Sequence, residues 1–260
     1  MNIVVCVKRV PDTAAEKKLD PNDFTLDRES VEAVMNPVDE YGVEEALKLR
    51  DAQGGEVTVL TMGPEPADKE AVRKALALGA DKGILVTDDR LPGSDALATA
   101  YVLALALAQV EFDLVLLGSE STDARTSLVP QALGQLMGMT ALTNARKLDV
   151  ADGKVTVQRE EEGGYSVVEA DLPAIVSVVK GINEPRYATL KGIMGAKQKP
   201  VETMSGDDLG IDDELVGLAG SKTEVIEATE RPPKEQGEIV KDDGDGHVQL
   251  ADFLQKNKFI

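Results

Sequence analysis

Apolar residues run through the first 135 positions in two alternating rhythms. Short unbroken runs at residues 3–7, 57–61, 82–86 and 114–117 have the length and β-branched content of strands buried on both faces. Between them lie stretches with helical spacing at residues 41–50, 69–78 and 96–108. In the first of these, Val43, Ala46, Leu47 and Leu49 fall on an inward face, with Glu44, Glu45 and Lys48 toward solvent. Asn36-Pro37-Val38-Asp39 reads as a helix start and Gly54-Gly55 as its end. Gly79 closes the second helix, Ser94-Asp95 caps the third, and Pro130 suits the first turn of a fourth. Strand alternating with helix predicts a parallel sheet with right-handed crossovers and helices on both faces.

The rhythm changes after residue 140. Residues 140–148, 154–160 and 165–170 are short and β-prone, with turns at Asp152-Gly153 and Gly163-Gly164, which predicts antiparallel hairpins. Residues 173–179 return as a buried strand. Residues 13–35 carry no long period, and Phe24-Thr25-Leu26-Asp27 reads as a short edge hairpin. From residue 201 the chain turns acidic and irregular, with 15 acids against 6 bases, and only residues 249–256 look helical. Arg231-Pro232-Pro233 and residues 242–246 are linker-like. Such a segment cannot fold alone. Its recurring apolar residues (Ile211, Leu215, Val225, Leu254, Ile260) favour an arm laid on a partner over a disordered tail. The expected class is α/β: a doubly wound, mainly parallel sheet, an antiparallel hairpin flap and an extended C-terminal arm. The expected division is 1–205 and 206–260.

Composition narrows the chemistry. A formal charge of -19 and the lack of Trp argue against a nucleic-acid ligand. No apolar run reaches the ~18 residues of a membrane span, so direct membrane insertion is not expected. The chain opens directly as a strand, with no export signal visible, and Cys6 is its one cysteine; a cytoplasmic, reducing setting is expected. The one histidine, His247, sits in the acidic tail, so a Ser–His or Cys–His nucleophilic site has nowhere to form. No Cys/His metal spacing is present, and residues 242–245 lack the bidentate acid of a calcium loop.

One stretch is suited to a ligand. After the strand at 114–117, Gly118 gives way to a loop of hydroxyls, acids and one Arg (Ser119, Glu120, Ser121, Thr122, Asp123, Ala124, Arg125, Thr126, Ser127) and then a helix start at Leu128-Val129-Pro130. Strand, small polar loop and helix put free N–H groups at the carboxyl edge of a sheet, where an anion is held well. An ordinary strand-to-helix connection has the same pattern. A cradle without acid/base machinery fits a binding subunit better than a complete enzyme.

A second stretch, Asn183-Glu184-Pro185-Arg186-Tyr187-Ala188-Thr189-Leu190-Lys191-Gly192-Ile193-Met194, is a charged rigid turn followed by a one-turn amphipathic piece. Here the chain closely resembles the electron transfer flavoprotein beta subunit, of the actinobacterial type. That family carries N-E-P-R-[YF]-x-[ST]-L-x-x-I-M at this place. Val5-Cys6-Val7-Lys8-Arg9-Val10-Pro11-Asp12, Met35-Asn36-Pro37 with Val43-Glu44-Glu45-Ala46-Leu47, and Lys74-Ala75-Leu76-Ala77-Leu78-Gly79-Ala80-Asp81 are similar too, and the resemblance runs from residue 2 to about 210.

The resemblance implies an electron carrier rather than an enzyme. It implies a heterodimer in which the alpha subunit holds most of a redox-active FAD, and this chain braces it and buries an AMP. Carried over by motif, the AMP contacts are Cys6, Asn36, Pro37, Val38, Asp39, Met62 and residues 119–129. Thr13 and Val38 stand where many members face the flavin. Leu190 is implied as the anchor of a docking loop, 182–197, with Glu184, Arg186, Tyr187, Ile193 and Met194 around it. The implied partners are the alpha subunit, acyl-CoA dehydrogenases and the electron transfer flavoprotein–quinone oxidoreductase, with the 206–260 arm on the alpha subunit. Two alternatives stand beside this: a bifurcating form with a second FAD in place of AMP, and an ATP-using ligase or pyrophosphatase on a similar sheet. The latter usually carries a Ser/Gly-rich loop after its first strand, and Lys8-Arg9-Val10-Pro11-Asp12 is not one.

Overall fold

Each apolar run of the first half becomes a strand, and each helical stretch a helix between strands. The elements, in a computed structural model that describes residues 1–28, 30–65, 67–229, 231–233, 237 and 239–260, begin with β1 (Asn2–Cys6), β2 (Arg9–Pro11), β3 (Lys18–Leu19), β4 (Leu26–Asp27) and β5 (Ala33–Met35). Then come α1 (Pro37–Gln53), β6 (Glu56–Met62), α2 (Ala67–Leu78), β7 (Lys82–Val86), α3 (Ala96–Leu107), β8 (Leu114–Gly118) and α4 (Val129–Met137). The second half holds β9 (Ala141–Ala151), β10 (Lys154–Glu161), β11 (Gly164–Asp171), β12 (Ala174–Val178), α5 (Leu190–Ala196) and β13 (Val201–Met204). Short helices α6 (Gly206–Leu209) and α7 (Gly217–Gly220), with a 3-10 turn between them, precede α8 (Gly246–Lys256).

Nine strands form one sheet in the order β11-β10-β9-β12-β8-β1-β6-β7-β13. From β9 to β13 every pair is parallel; β9, β10 and β11 are antiparallel. From β1 the chain steps outward through β6 to β7, then α3 carries it back to β8 on the other side of β1. The strand order therefore reverses between β1 and β8, and a crevice opens at their carboxyl ends. Val5, Val43, Leu47, Val59, Val72 and Leu76 form one core with α1 and α2. Val4, Leu60, Leu103, Leu107, Val115 and Leu133 form the other with α3 and α4. The N-cap Asp95 starts α3 by accepting from Leu97 N and Ala98 N.

The structure adds to three expectations. The antiparallel hairpins form as expected, and because β9 pairs with β12 they continue the main sheet, with Leu148, Val150, Val155 and Val157 in the α1-side core. Residues 201–220 are largely regular. Val201↔Gly83 through Met204↔Val86 add β13 as a parallel edge strand, too short to show a period in sequence. Two of the acids that follow fix the chain, since Arg90 bonds Asp207 at 2.8 Å and Asp213 at 2.9 Å; further on, the α3 cap Asp95 accepts from Lys222 N at 2.8 Å. Residues 1–225 are one compact unit and 226–260 a second, which contains α8 and the ring pair Phe253–Phe259. Within the tail, residues 230, 234–236 and 238 lie outside the described residues. Third, Glu44 and Glu45 do not face solvent; they are 7% and 5% exposed, because the chain after β12 runs along α1.

The start of α1 is wedged against the end of β8. A Cβ on Gly118 would collide with Asp39 Oδ1 and lie 3.2 Å from Asp39 N. Gly118→Ala is therefore expected to cost about 1–3 kcal/mol, as overpacking does, read as a lower unfolding transition of the protein. An unchanged transition would contradict the close approach.

Candidate functional site

The crevice at the β1–β8 switch is built from three short segments. The first is the end of β1 and the residue Lys8 after it. The second is the start of α1. The third is residues 119–128, between β8 and α4. Pro37 begins α1 because its missing N–H is not needed in a first turn. This brings the buried Asn36 and Asp39 between the two strand ends.

Asn36 and Asp39 lock the three segments together. Asp39 Oδ2 accepts from Lys8 N at 2.8 Å, and Asp39 Oδ1 accepts from Gly118 N at 3.2 Å and Asn36 Nδ2 at 2.9 Å. Asn36 Nδ2 also donates to Glu120 O at 2.9 Å, and Asn36 Oδ1 accepts from Thr122 N at 3.2 Å. Burial pushes the Asp39 carboxyl up to about 7, against the pull of the Asn36, Lys8 and Gly118 donors. Burial, with the Asp39 charge nearby, pushes the Cys6 thiol well above its ordinary range, so it stays protonated.

Asp123 is the second fastening. Its side chain is 0% exposed and held between two cations: Oδ1 accepts from Lys8 Nζ at 2.9 Å and Oδ2 from Arg28 Nη2 at 2.7 Å. Burial raises its carboxyl, but the Lys8 charge and the donors around it outweigh burial and hold it at about 2. Beyond Asp123 the loop is open: Ala124, Arg125, Thr126, Ser127 and Leu128 are exposed. Arg125 and Ser127 are left-handed, at φ 51° and 50°. Left-handed residues in such a loop turn successive N–H groups into a concave anion seat. No side chain caps α4. The Thr122 hydroxyl is buried without a hydrogen-bond partner. These features fit a phosphate-bearing ligand, and the donors offered are mainly backbone.

The structure gathers Cys6, Asn36, Pro37, Val38, Asp39 and residues 119–129 at this crevice, with Met62 at the end of the neighbouring strand β6. Val38 is half-buried on the first turn of α1, and Thr13 is exposed just after β2. Lys8 and Arg28 join the site only through the fold. Lys8 carries a signal, two positions past a strand end; Arg28, in the stretch without period, carries none. His247 is exposed on α8. Among the described residues no cluster of metal-ligating side chains occurs, and no helix is long and apolar enough to cross a membrane.

The second candidate surface lies along α1 and α2. Tyr187 and Leu190 are 95% and 75% exposed, and Ile193 and Met194 are exposed beside them. Thr189 caps α5 by accepting from Gly192 N at 3.0 Å. Gly192 permits contact with α2, since a Cβ there would collide with Ala77 O. Glu184 is exposed, while Arg186 turns inward to Glu44 and Asp51.

Residues 23–209 match the family model for the electron transfer flavoprotein domain. The chain is 45% identical over 265 aligned positions to the electron transfer flavoprotein subunit beta of Mycobacterium leprae, and 44% identical to that of Mycobacterium tuberculosis, covering 100% of this chain and 99% of each relative. It is 39% identical, over 92% of both chains, to subunit CarD of the caffeyl-CoA reductase-Etf complex of Acetobacterium woodii. These matches, over the whole chain, lead to one conclusion: the chain belongs to the electron transfer flavoprotein beta-subunit family, whose members carry electrons rather than catalyse a reaction of their own.

Proposed function

We propose that this chain pairs with an electron transfer flavoprotein alpha subunit and buries AMP in the β1–β8 crevice. The pair then relays electrons from acyl-CoA dehydrogenases to a quinone oxidoreductase. The observation that carries the AMP reading is the 119–128 loop, fastened through Asn36 and Asp123 yet open, left-handed and uncapped where a phosphate would sit. Loop amides and the N-terminal turn of α4 would hold the phosphate, with the Thr122 hydroxyl a further donor in reach of the loop. FAD, held mainly by the alpha subunit, supplies the redox chemistry; AMP supplies none and fills the crevice. Thr13 and Val38 are the positions of this chain nearest to that role by motif. The acidic arm would lie on the alpha subunit, which explains why Ile226, Ile239, Phe259 and Ile260 expose so much apolar surface. A reducing, cytoplasmic setting suits the single buried thiol.

The exposed Tyr187, Leu190, Ile193 and Met194 would form the client contact. One apolar knob in a pocket gives a small, short-lived interface suited to rapid exchange.

Two measurements test this reading. Nucleotide extracted from the co-expressed heterodimer is expected to be one FAD and one AMP; two flavins would support the bifurcating form and overturn the AMP assignment. Leu190→Ala is expected to leave both nucleotides bound but weaken dehydrogenase coupling by about 2 kcal/mol. Nucleotide loss with unchanged coupling would instead make Leu190 a core residue.

A further inference from the structure

Helix α1 carries two buried carboxylates that neither the crevice nor the sheet uses. Glu44 accepts three bonds from one residue of the turn after β12: Arg186 N at 3.1 Å, Arg186 Nε at 2.7 Å and Arg186 Nη2 at 3.1 Å. Arg186 also reaches Asp51 Oδ2, two turns further along α1, at 3.2 Å through Nη1 and Nη2. Glu45 Oε2 accepts from Asn183 Nδ2 at 2.9 Å, and the same amide donates to Tyr41 O at 3.0 Å. A carboxylate taking both a guanidinium fork and a backbone N–H leaves that turn one orientation, since the fork is planar and the bonds are directional.

This turn leads within four residues to Leu190. At the far end of α5, Arg73 bonds Ala196 O, and its Nη1 lies 3.2 Å from Lys199 O. Gly192 lets α5 touch Ala77 of α2. The exposed knob is thus held from both sides by buried or half-buried polar contacts, while its own side chains touch solvent. Isolated buried charges are costly, and hydrophobic residues of similar volume stabilise a core as well. Their presence here is explained by what they orient.

We propose that Glu44 and Glu45 are positioning residues for client docking, setting the orientation of residues 183–186 and hence the pose of Leu190. This rests on the docking reading of that loop. Neither carboxylate touches a client; each acts through Arg186 or Asn183.

The test uses heterodimers carrying Glu44→Gln, Arg186→Lys or Leu190→Ala, and each of the first two combined with the third. Each is assayed as electron acceptor of an acyl-CoA dehydrogenase at varied carrier concentration, with flavin content measured alongside. Arg186→Lys keeps the charge and loses the fork, so it tests pose without stranding a buried carboxylate. Both single variants are expected to raise the apparent KM for the carrier about tenfold, with kcat within about twofold and flavin content unchanged. Adding Leu190→Ala is expected to raise KM little further, because a misposed anchor has already lost its contact. Wild-type KM in both singles, with Leu190→Ala still impaired, overturns the positioning role and leaves the docking reading standing. A KM unmoved by Leu190→Ala overturns the docking reading itself. Additive doubles, flavin loss in parallel with KM, or failure of both singles to assemble show a merely structural role and overturn the inference.

Discussion

The carboxylate of Asp39 holds the first turn of α1 against the ends of two strands. It accepts from Lys8 N just past β1 and from Gly118 N at the end of β8, the two strands between which the sheet reverses. Doubly wound sheets leave a crevice at such a point because the crossovers depart in opposite directions. Here α1 fills part of that crevice with its own start. Only glycine at 118 allows the approach, and Asn36 extends the lock into the 119–128 loop. The loop is therefore fixed at its near end by neutral amides and in its middle by Asp123 between Lys8 and Arg28. What stays open is the short span with left-handed residues.

The same helix serves a second purpose further along. Its first turn sits under the crevice, and its middle turns hold the loop that presents Leu190. One rigid element thus links a nucleotide-type cleft to an exposed apolar knob on a shared frame. Such a division suits a carrier. The near wall of the cleft is fixed by the buried carboxylates of Asp39 and Asp123 and their donors. The knob is bare, with Tyr187 almost wholly and Leu190 largely in water.

Much of this was legible in sequence. Unbroken apolar runs bounded by glycine fix the parallel strands, and Asn36-Pro37, Asp95 and Pro130 mark helix starts for physical reasons that survive folding. The small polar loop after β8 stood out because its residues are unlike those on either side. What was not legible depends on distant contacts. Glu44 and Glu45 sit on the polar face by spacing, and only a loop arriving from 138 and more residues away buries them. Strand β13 has four residues, too few for a period, and is defined by pairing with β7. Arg28 reaches Asp123 across 95 residues from a stretch with no regular signal. The motifs of the beta subunits supplied the identity that periodicity could not.

The central claim is that an adenylate is gripped by the loop between β8 and α4. Amide hydrogen exchange on the heterodimer, stripped of nucleotide and then given AMP, tests it most directly. The account predicts that AMP slows exchange at residues 119–129 and the start of α1, while α5 and β10–β11 are unaffected. Protection appearing elsewhere, with the 119–129 amides unchanged, would contradict it.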